Sequence, residues 1–348
     1  MNIDHSIFRI NGFRTSPRVS CEGKSKLLSW FRKLILGRRK PYLHIANNFS
    51  LIAGRMYAVI GKSGCGKTVL NSLFMGCPAF SLIRMQCDCE FFGSLIPQHA
   101  FTSRSNVEKA WRRIRKRGVL LYLPQQLPDG RGFEMSVREY YLQIVCALLK
   151  ECRVKRTARD ILSIFKVEGK DVSAVDTLQG LASMLTNKLS KPLNQLSGGE
   201  RRRIELIARV YALRELPRNR QALLVLDEPT TGLDVPGVRD YLKALRSCFT
   251  SCVNGRVAIL VTTHALHLLD DEESPVFDDV ILVRKQENDT VVCNVSEPIS
   301  LKELNRKWIL QKYANSHNPW AAFLEEQASL TEESFLREKK RFLGVAEG

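Results

Sequence analysis

Apolar positions along this chain fall into short runs of strand length, separated by polar and glycine-bearing breaks. Phe8 to Arg14 and Tyr42 to Ile52 alternate in the manner of strands, and Arg55-Met56-Tyr57-Ala58-Val59-Ile60 reads as a short buried strand. Val119-Leu120-Leu121-Tyr122-Leu123, Ala222-Leu223-Leu224-Val225-Leu226 and Val257 to Thr262 are further apolar runs of the same kind. Val69 to Met75 and the stretch reaching Ala212 carry helical spacing instead. Each run stops well short of the roughly 18 apolar residues that a membrane-crossing helix needs, so the chain is expected not to span a bilayer. Met1 to Gly12 lacks the basic start, apolar middle and small-residue end of an export signal, and export is not expected.

The breaks carry the chemistry. The run ending at Ile60 opens directly into Gly61-Lys62-Ser63-Gly64-Cys65-Gly66-Lys67-Thr68, and a helix follows. Strand, glycine-rich loop and helix in that order form a phosphate-binding loop. Glycines let successive backbone N–H groups turn inward onto an anion, and the helix adds the positive end of its dipole. Lys67 is placed to reach the β- and γ-phosphates of a nucleotide, and the Thr68 hydroxyl to take a position on Mg²⁺.

The strand Ala222–Leu226 runs into Asp227-Glu228. Carboxylates at the carboxyl end of a parallel strand lie where doubly wound sheets bind their ligands. Asp227 is therefore expected to hold Mg²⁺, with Glu228 close enough to polarise an attacking water. The third strand, Val257–Thr262, ends at Thr263-His264 and brings a histidine toward the same edge.

Composition narrows the class without naming a partner. The chain has 348 residues, 44% hydrophobic and 26% charged, the balance of a folded globular protein with one large domain or two. Its ten cysteines form no Cys-x-x-Cys pair; Cys87-Asp88-Cys89 and Cys248 with Cys252 come nearest, without matching histidines, so free thiols are expected. The net charge of +17 is unevenly placed. Residues 1–40 hold ten Lys and Arg against Asp4 and Glu22, and Arg112-Arg113-Ile114-Arg115-Lys116-Arg117 and Arg201-Arg202-Arg203 add clusters. Such patches suit nucleic acid, an anionic membrane surface or nucleotide phosphates, and charge alone does not choose.

One further stretch carries a family resemblance. Gln195-Leu196-Ser197-Gly198-Gly199-Glu200-Arg201-Arg202-Arg203-Ile204-Glu205 resembles the signature motif of ATP-binding cassette (ABC) ATPases. Tyr122-Leu123-Pro124-Gln125 is similar to that family's Q-loop, Thr231-Gly232-Leu233-Asp234 to its D-loop, and His264 to its switch histidine. The motifs occur in the family's order and cover about residues 42 to 295.

The resemblance implies an α/β fold: an ABC-type phosphate-loop core with an antiparallel β subdomain and a helical insertion. It implies ATP hydrolysis with Mg²⁺ in a head-to-tail dimer of two identical or related subunits. ATP then lies between the phosphate loop of one subunit (Gly61, Ser63, Gly64, Cys65, Gly66, Lys67, Thr68) and the signature of the other (Ser197, Gly198, Gly199), with Asp234 alongside. Gln125 senses Mg²⁺ and the water, joining Thr68 and Asp227 around the metal. Glu228 is the general base, and His264 positions water and γ-phosphate. A serine and two glycines at a helix start also present unobstructed N–H donors to an anion.

The domain boundaries expected on this basis are 1–124 and 197–300 for the two parts of the nucleotide-binding core, 125–196 for a helical subdomain, and 301–348 for a helical C-terminal extension. Between Gln125 and Ser197 the chain suffices for the compact helical subdomain of transporter ATPases and is far too short for the coiled coils of the DNA-repair branch. The first reading is thus a subunit on the cytoplasmic side of a membrane, bound to a separate permease, with Leu127, Phe133, Met135, Val137, Tyr140 and Tyr141 as its docking groove. The second is a stand-alone ATPase acting on nucleic acid or a protein assembly, which the charge keeps open. The chain departs from the family in extra length between Cys77 and Ser105 and a small insertion from Arg214 to Gln221. For residues 24–40 three readings stand together: a helix on its own core, an adenine-contacting loop using Trp30 or Phe31, and a basic amphipathic helix for a membrane surface or partner.

Overall fold

In the computed structural model the described residues are 6–10, 13–17, 43–45, 49–61, 64–76, 83–85, 88–97, 104–125, 127, 134–166, 177–183, 185–230, 241–247, 249, 255–263, 276–288, 290–296 and 298–300. The expectations for residues 24–40 and 301–348 lie outside them.

The centre is a parallel array of apolar strands. β5 (Met56–Ile60), β9 (Gly118–Leu123), β10 (Gln221–Asp227), β11 (Val257–Thr262) and β12 (Asp279–Asn288) line up in the order β12-β5-β11-β10-β9, every neighbouring pair parallel. Parallel strands covered on both faces need apolar residues at every position, which is why these segments read as continuous runs. Alternate side chains feed two cores. Met56, Ala58, Leu121, Leu224, Leu226, Ile259 and Val261 enter one. Tyr57, Val59, Leu120, Leu223, Val225, Ala258 and Leu260 enter the other.

The first core is closed by α3 (Val137–Cys152), α4 (Ala158–Leu162), α5 (Thr177–Ser183) and α6 (Gly198–Arg214), where α3–α5 are the helical insertion between Gln125 and Leu196. Capping boxes start three of these helices: Ser136 with Glu139, Thr157 with Asp160, and Ser197 with Glu200. The second core is closed by α1 (Lys67–Met75), α2 (Arg104–Arg117) and an antiparallel sheet. That sheet, in the order β4-β1-β7-β8, comprises β1 (Ser6–Ile10), β4 (Phe49–Ile52), β7 (Cys89–Phe91) and β8 (Ser94–Ile96). Phe8, Phe49, Phe74 and Phe91 meet there ring to ring, Phe8 and Phe91 with centroids 4.4 Å apart.

The single strand expected over Phe8–Arg14 is instead two. β1 joins the antiparallel sheet, whereas β2 (Phe13–Pro17) pairs with β3 (Leu43–Ile45) and β6 (Ile83–Met85) in the large sheet. Asn11-Gly12, a turn-forming dipeptide, falls between them. β13 (Thr290–Val295) joins β3 to β12, and β14 (Ile299–Ser300) pairs with β12. The extra length after Cys77 contains β6, β7, β8 and the start of α2. Among the described residues Cys65, Cys89, Cys146 and Cys152 are free thiols, and no helix is long and apolar enough to cross a membrane.

Candidate functional site

The site is the carboxyl edge of the parallel strands. Register fixes its members: Val59 lies beside Thr262, Thr262 beside Asp227, and Leu226 beside Leu123. The residues that follow each strand, Gly61, Thr263, Glu228 and Gln125, therefore leave the sheet at one edge.

At the phosphate loop, Gly61 packs so closely that a Cβ there would lie 2.1 Å from the Val283 carbonyl oxygen, which excludes any side chain. The buried Lys67 turns back and donates from Nζ to the Gly61 carbonyl at 2.7 Å. Burial lowers the pKa of this ammonium below its ordinary value, and the nearby Cys65, Glu228 and Asp227 partly oppose the shift. Gly66 precedes the first turn of α1 without a side-chain cap, the Lys67 N–H meets the Cys65 sulfur, and the Thr68 side chain is exposed beside that turn. Cys65 is buried, which raises its thiol pKa and keeps it protonated.

The carboxylates are held by their neighbours. Asp227 is buried; its Oδ1 accepts from Thr262 Oγ1 at 2.7 Å and its Oδ2 from the Tyr122 hydroxyl at 3.0 Å. Glu228 has a left-handed backbone (φ 47°), rare for a residue with a side chain. Its N–H donates to Thr262 Oγ1 at 2.8 Å and its carbonyl accepts from Arg202 Nη1. Its carboxylate accepts from Gln125 Nε2 at 2.6 Å. The second Arg202 nitrogen reaches the Gln125 carbonyl, so one guanidinium ties both residues' backbones to α6.

The same helix makes a second tie. Arg209 donates to the Tyr122 carbonyl from Nε at 2.8 Å and from Nη2 at 2.6 Å, and pairs with Glu205, which also accepts from the Tyr140 hydroxyl of α3. Hydrogen bonds thus connect the helical insertion to the strand before Gln125. At the start of α6 the Ser197 Oγ accepts from the Glu200 N–H at 3.2 Å, a cap made within the chain itself, while Gly198 is exposed.

Of the residues singled out from sequence, Gly61, Gly64, Cys65, Gly66, Lys67, Thr68, Gln125, Asp227 and Glu228 gather at this edge, and Ser197, Gly198 and Gly199 start α6. Ser63, Asp234 and His264 lie outside the described residues. Sequence reasoning passed over Tyr122, Thr262, Arg202 and Arg209. The Arg201-Arg202-Arg203 run reads as a charged patch, but Arg202 is only 7% exposed and belongs to the site. The docking groove is also altered: Val137 and Tyr141 are fully buried in the core, since α3 turns them onto α6, and Phe133 is not among the described residues.

Hard oxygen donors without a cluster of acidic residues suit Mg²⁺, which takes one or two carboxylates and completes its shell with water and substrate phosphate. Asp227 and the Thr68 hydroxyl are donors of that kind, and no group of three or more His, Cys, Asp or Glu gathers for a metal among the described residues.

Comparison with known proteins agrees in kind. Residues 46–231, more than half of the chain, match the family described as ABC transporter. The vitamin B12 import ATP-binding protein BtuD of Pectobacterium atrosepticum is 32% identical over 214 residues, covering 62% of this chain and 69% of that protein. The energy-coupling factor transporter ATP-binding protein EcfA1 of Thermotoga maritima is 26% identical over 224 residues, covering 64% and 68%. Among solved structures, cbiO1 of Clostridium perfringens, part of the ABC transporter complex cbiONQ, superposes with a TM-score of 0.50 at 18% identity, over 92% of this chain and 99% of that one, a likeness of fold.

Proposed function

Because this chain belongs to the ABC transporter family and is an ATPase that binds ATP, we propose that it is the separate ATP-hydrolysing subunit of a membrane transporter. It works on the cytoplasmic side of the membrane, in a head-to-tail dimer with a second copy or a related subunit, and drives an integral membrane permease. The observation that carries this reading is the Gln125–Glu228 contact at the edge that also holds Asp227 and the uncapped start of α1.

Within that reading Gly61, Ser63, Gly64, Cys65, Gly66, Lys67 and Thr68 cradle the phosphates. Lys67 exchanges the Gly61 carbonyl for a phosphate oxygen. Thr68, Asp227 and Gln125 hold Mg²⁺, which supplies charge neutralisation on the phosphate oxygens. Glu228 takes a proton from the attacking water, with Gln125 and His264 orienting that water. Ser197, Gly198, Gly199 and Asp234 complete the partner's site. There the Ser197 hydroxyl, which caps α6 within its own chain, and the backbone of Gly198 and Gly199 face the partner's γ-phosphate. Leu127, Met135 and Tyr140 remain as apolar and half-buried surface beside Gln125 for a short permease helix.

The relatives named for vitamin B12 import and energy-coupling-factor transport favour transport over action on nucleic acid. The test has two parts. Glu228→Gln protein is sized with and without ATP and Mg²⁺, where an ATP-dependent dimer is expected. The chain is also recovered from detergent-solubilised membranes, where a co-purifying membrane protein that is lost on Tyr140→Glu supports the permease. Tight nucleic-acid binding that stimulates hydrolysis, with no membrane protein recovered, overturns it.

A further inference from the structure

A second surface, built from the chain between the phosphate loop and Tyr122, has the build of a peptide site. β8 is the outer strand of the antiparallel sheet among the described residues, paired only with β7. Phe92 (φ 47°) and Gly93 (φ 68°) join the two strands, a two-residue turn with both central residues left-handed. In such a hairpin Phe91 and Ser94 exchange hydrogen bonds, and so do Cys89 and Ile96. The N–H and C=O of Leu95 then point away from β7, toward the open edge.

Beside that edge runs a groove of about 530 Å³. Its walls are residues 93–97 and one flank of α2, with Ile96, Ala110 and Ile114 at its apolar base, and no β7 residue lines it, which sets it along the seam between β8 and α2. Lys109, Arg113, Lys116 and Arg117 line it, with no carboxylate. All four are exposed, because α2 spends its apolar face (Val107, Ala110, Trp111, Ile114) on the core. Glu90, the cross-strand partner of Leu95, and Glu108 are not on the lining. Leu95 is 67% exposed, against 36% for Ile52, the other large apolar residue exposed among those described.

We propose that this groove binds an extended acidic peptide segment of a partner protein, which adds to β8 as an antiparallel strand. Leu95 supplies the backbone donor and acceptor; Lys109, Arg113 and Lys116 take the carboxylates, while Arg117 donates to the Gly93 carbonyl at 2.8 Å and closes the turn end of the groove. The pleat dictates the peptide's pattern. Ile96 points into the core beneath which α2 lies and Leu95 points outward. Alternate side chains of an added strand therefore face α2 and the Leu95 side in turn. The α2-facing positions take Glu or Asp; those beside Leu95 take aliphatic residues. A nucleic-acid backbone also meets cations, but it uses neither a strand edge nor an exposed leucine.

The test uses the full chain and a fluorescent nine-residue peptide of alternating valine and glutamate, read by anisotropy. Binding is expected, with an alternating valine and lysine peptide inactive. The double variant Arg113→Glu, Lys116→Glu, both exposed positions outside the nucleotide site, weakens binding at least tenfold while basal ATP hydrolysis is unchanged. N-methylation separates strand addition from charge attraction. The residue opposite Leu95 in an antiparallel pair shares its face and directs its N–H at β8. Methylating the valine amides therefore abolishes binding, and methylating the glutamate amides spares it. Any other methylation pattern, binding that survives the charge reversal, absence of binding, or tighter binding of duplex DNA at the same salt overturns the proposal.

Discussion

Gln125 Nε2 donates to Glu228 Oε2 at 2.6 Å, joining the loop after β9 to the residue after β10. Both belong to the edge of one parallel sheet, and both backbones are held by Arg202. A carboxylate fixed in this way is aimed rather than free, as a group that takes a proton from water must be. Glu228→Gln keeps the shape and removes the proposed base. Hydrolysis is expected to fall by about 10²- to 10⁴-fold, the usual worth of a general base. ATP affinity should be retained, because the phosphate loop is untouched. Phosphate release and equilibrium binding of a fluorescent ATP analogue check this together; hydrolysis at the wild-type rate would remove Glu228 from the role.

Arg202 makes a more discriminating target. Its fork reaches two carbonyls in different loops, and burial lowers its pKa below the ordinary guanidinium value. Lysine brings charge but not the planar pair of donors, so Arg202→Lys is not conservative here. The substitution should cost on the order of 1 kcal/mol of stability by removing one of two part-buried hydrogen bonds. It should also lower the turnover number more than ATP affinity, since Glu228 loses one of the bonds that fix its left-handed backbone. Denaturant unfolding beside steady-state kinetics separates the two effects, and equal losses of affinity and turnover would contradict the positioning role.

Nothing in the sequence sets Arg202 apart from the arginines on either side of it. Gly61 to Thr68 and Asp227-Glu228 were legible because each ends an unbroken apolar run, and buried parallel strands place such endings at one edge. Three consecutive arginines at a helix start give no such cue: which of them turns inward depends on how α6 sits over the sheet, a tertiary matter. The same applies to Val137 and Tyr141. Their apolar character suited a groove as well as a core, and only the packing of α3 on α6 decides for the core. Asn11-Gly12 was a local signal, and it marked the break between β1 and β2 that the alternation across Phe8–Arg14 obscures.

The cap at the signature helix makes a prediction about pH. The Glu200 carboxyl is held below the usual carboxylate range by its contact with Lys188 first, and then by hydrogen bonds from Ser197. A depressed folded-state pKa gives stability that is fully present above the unfolded carboxylate value and lost as pH falls through the folded one. Glu200→Gln keeps the capping-box hydrogen bond and removes the charge, so it should cost a few tenths to about 1 kcal/mol at neutral pH, the usual worth of a partly exposed ion pair and of an anion at a helix N-terminus. The gap between wild type and variant should close in acid. Urea midpoints measured from neutral down to about pH 3, where carboxylates protonate, test it; a gap that is constant with pH would show that the charge of Glu200 contributes nothing.

Gly76 ends α1 with a left-handed backbone (φ 65°), its N–H bonded to the Leu73 carbonyl at 3.1 Å. The Trp111 indole lies directly over it: a Cβ at this position would come within 1.9 Å of the indole Cδ1 and Nε1. Trp111 cannot withdraw easily, because it is 4% exposed, packs edge-on against Phe91 at 5.9 Å and donates to the Phe74 carbonyl at 3.4 Å. Two costs add in Gly76→Ala. A left-handed residue with a side chain costs about 1–2 kcal/mol, and overpacking a filled core costs about 1–3 kcal/mol more. The variant should unfold at clearly lower urea concentration with an unchanged denaturant slope. The costs can be told apart with Trp111→Leu, which clears space over the glycine while losing the indole's own packing. If the clash is real, Gly76→Ala should destabilise the Trp111→Leu background only by the backbone cost. An equal loss in both backgrounds would show that the indole moves aside freely, and that the close seat of Trp111 on the end of α1 does not hold the antiparallel layer to the phosphate-loop helix.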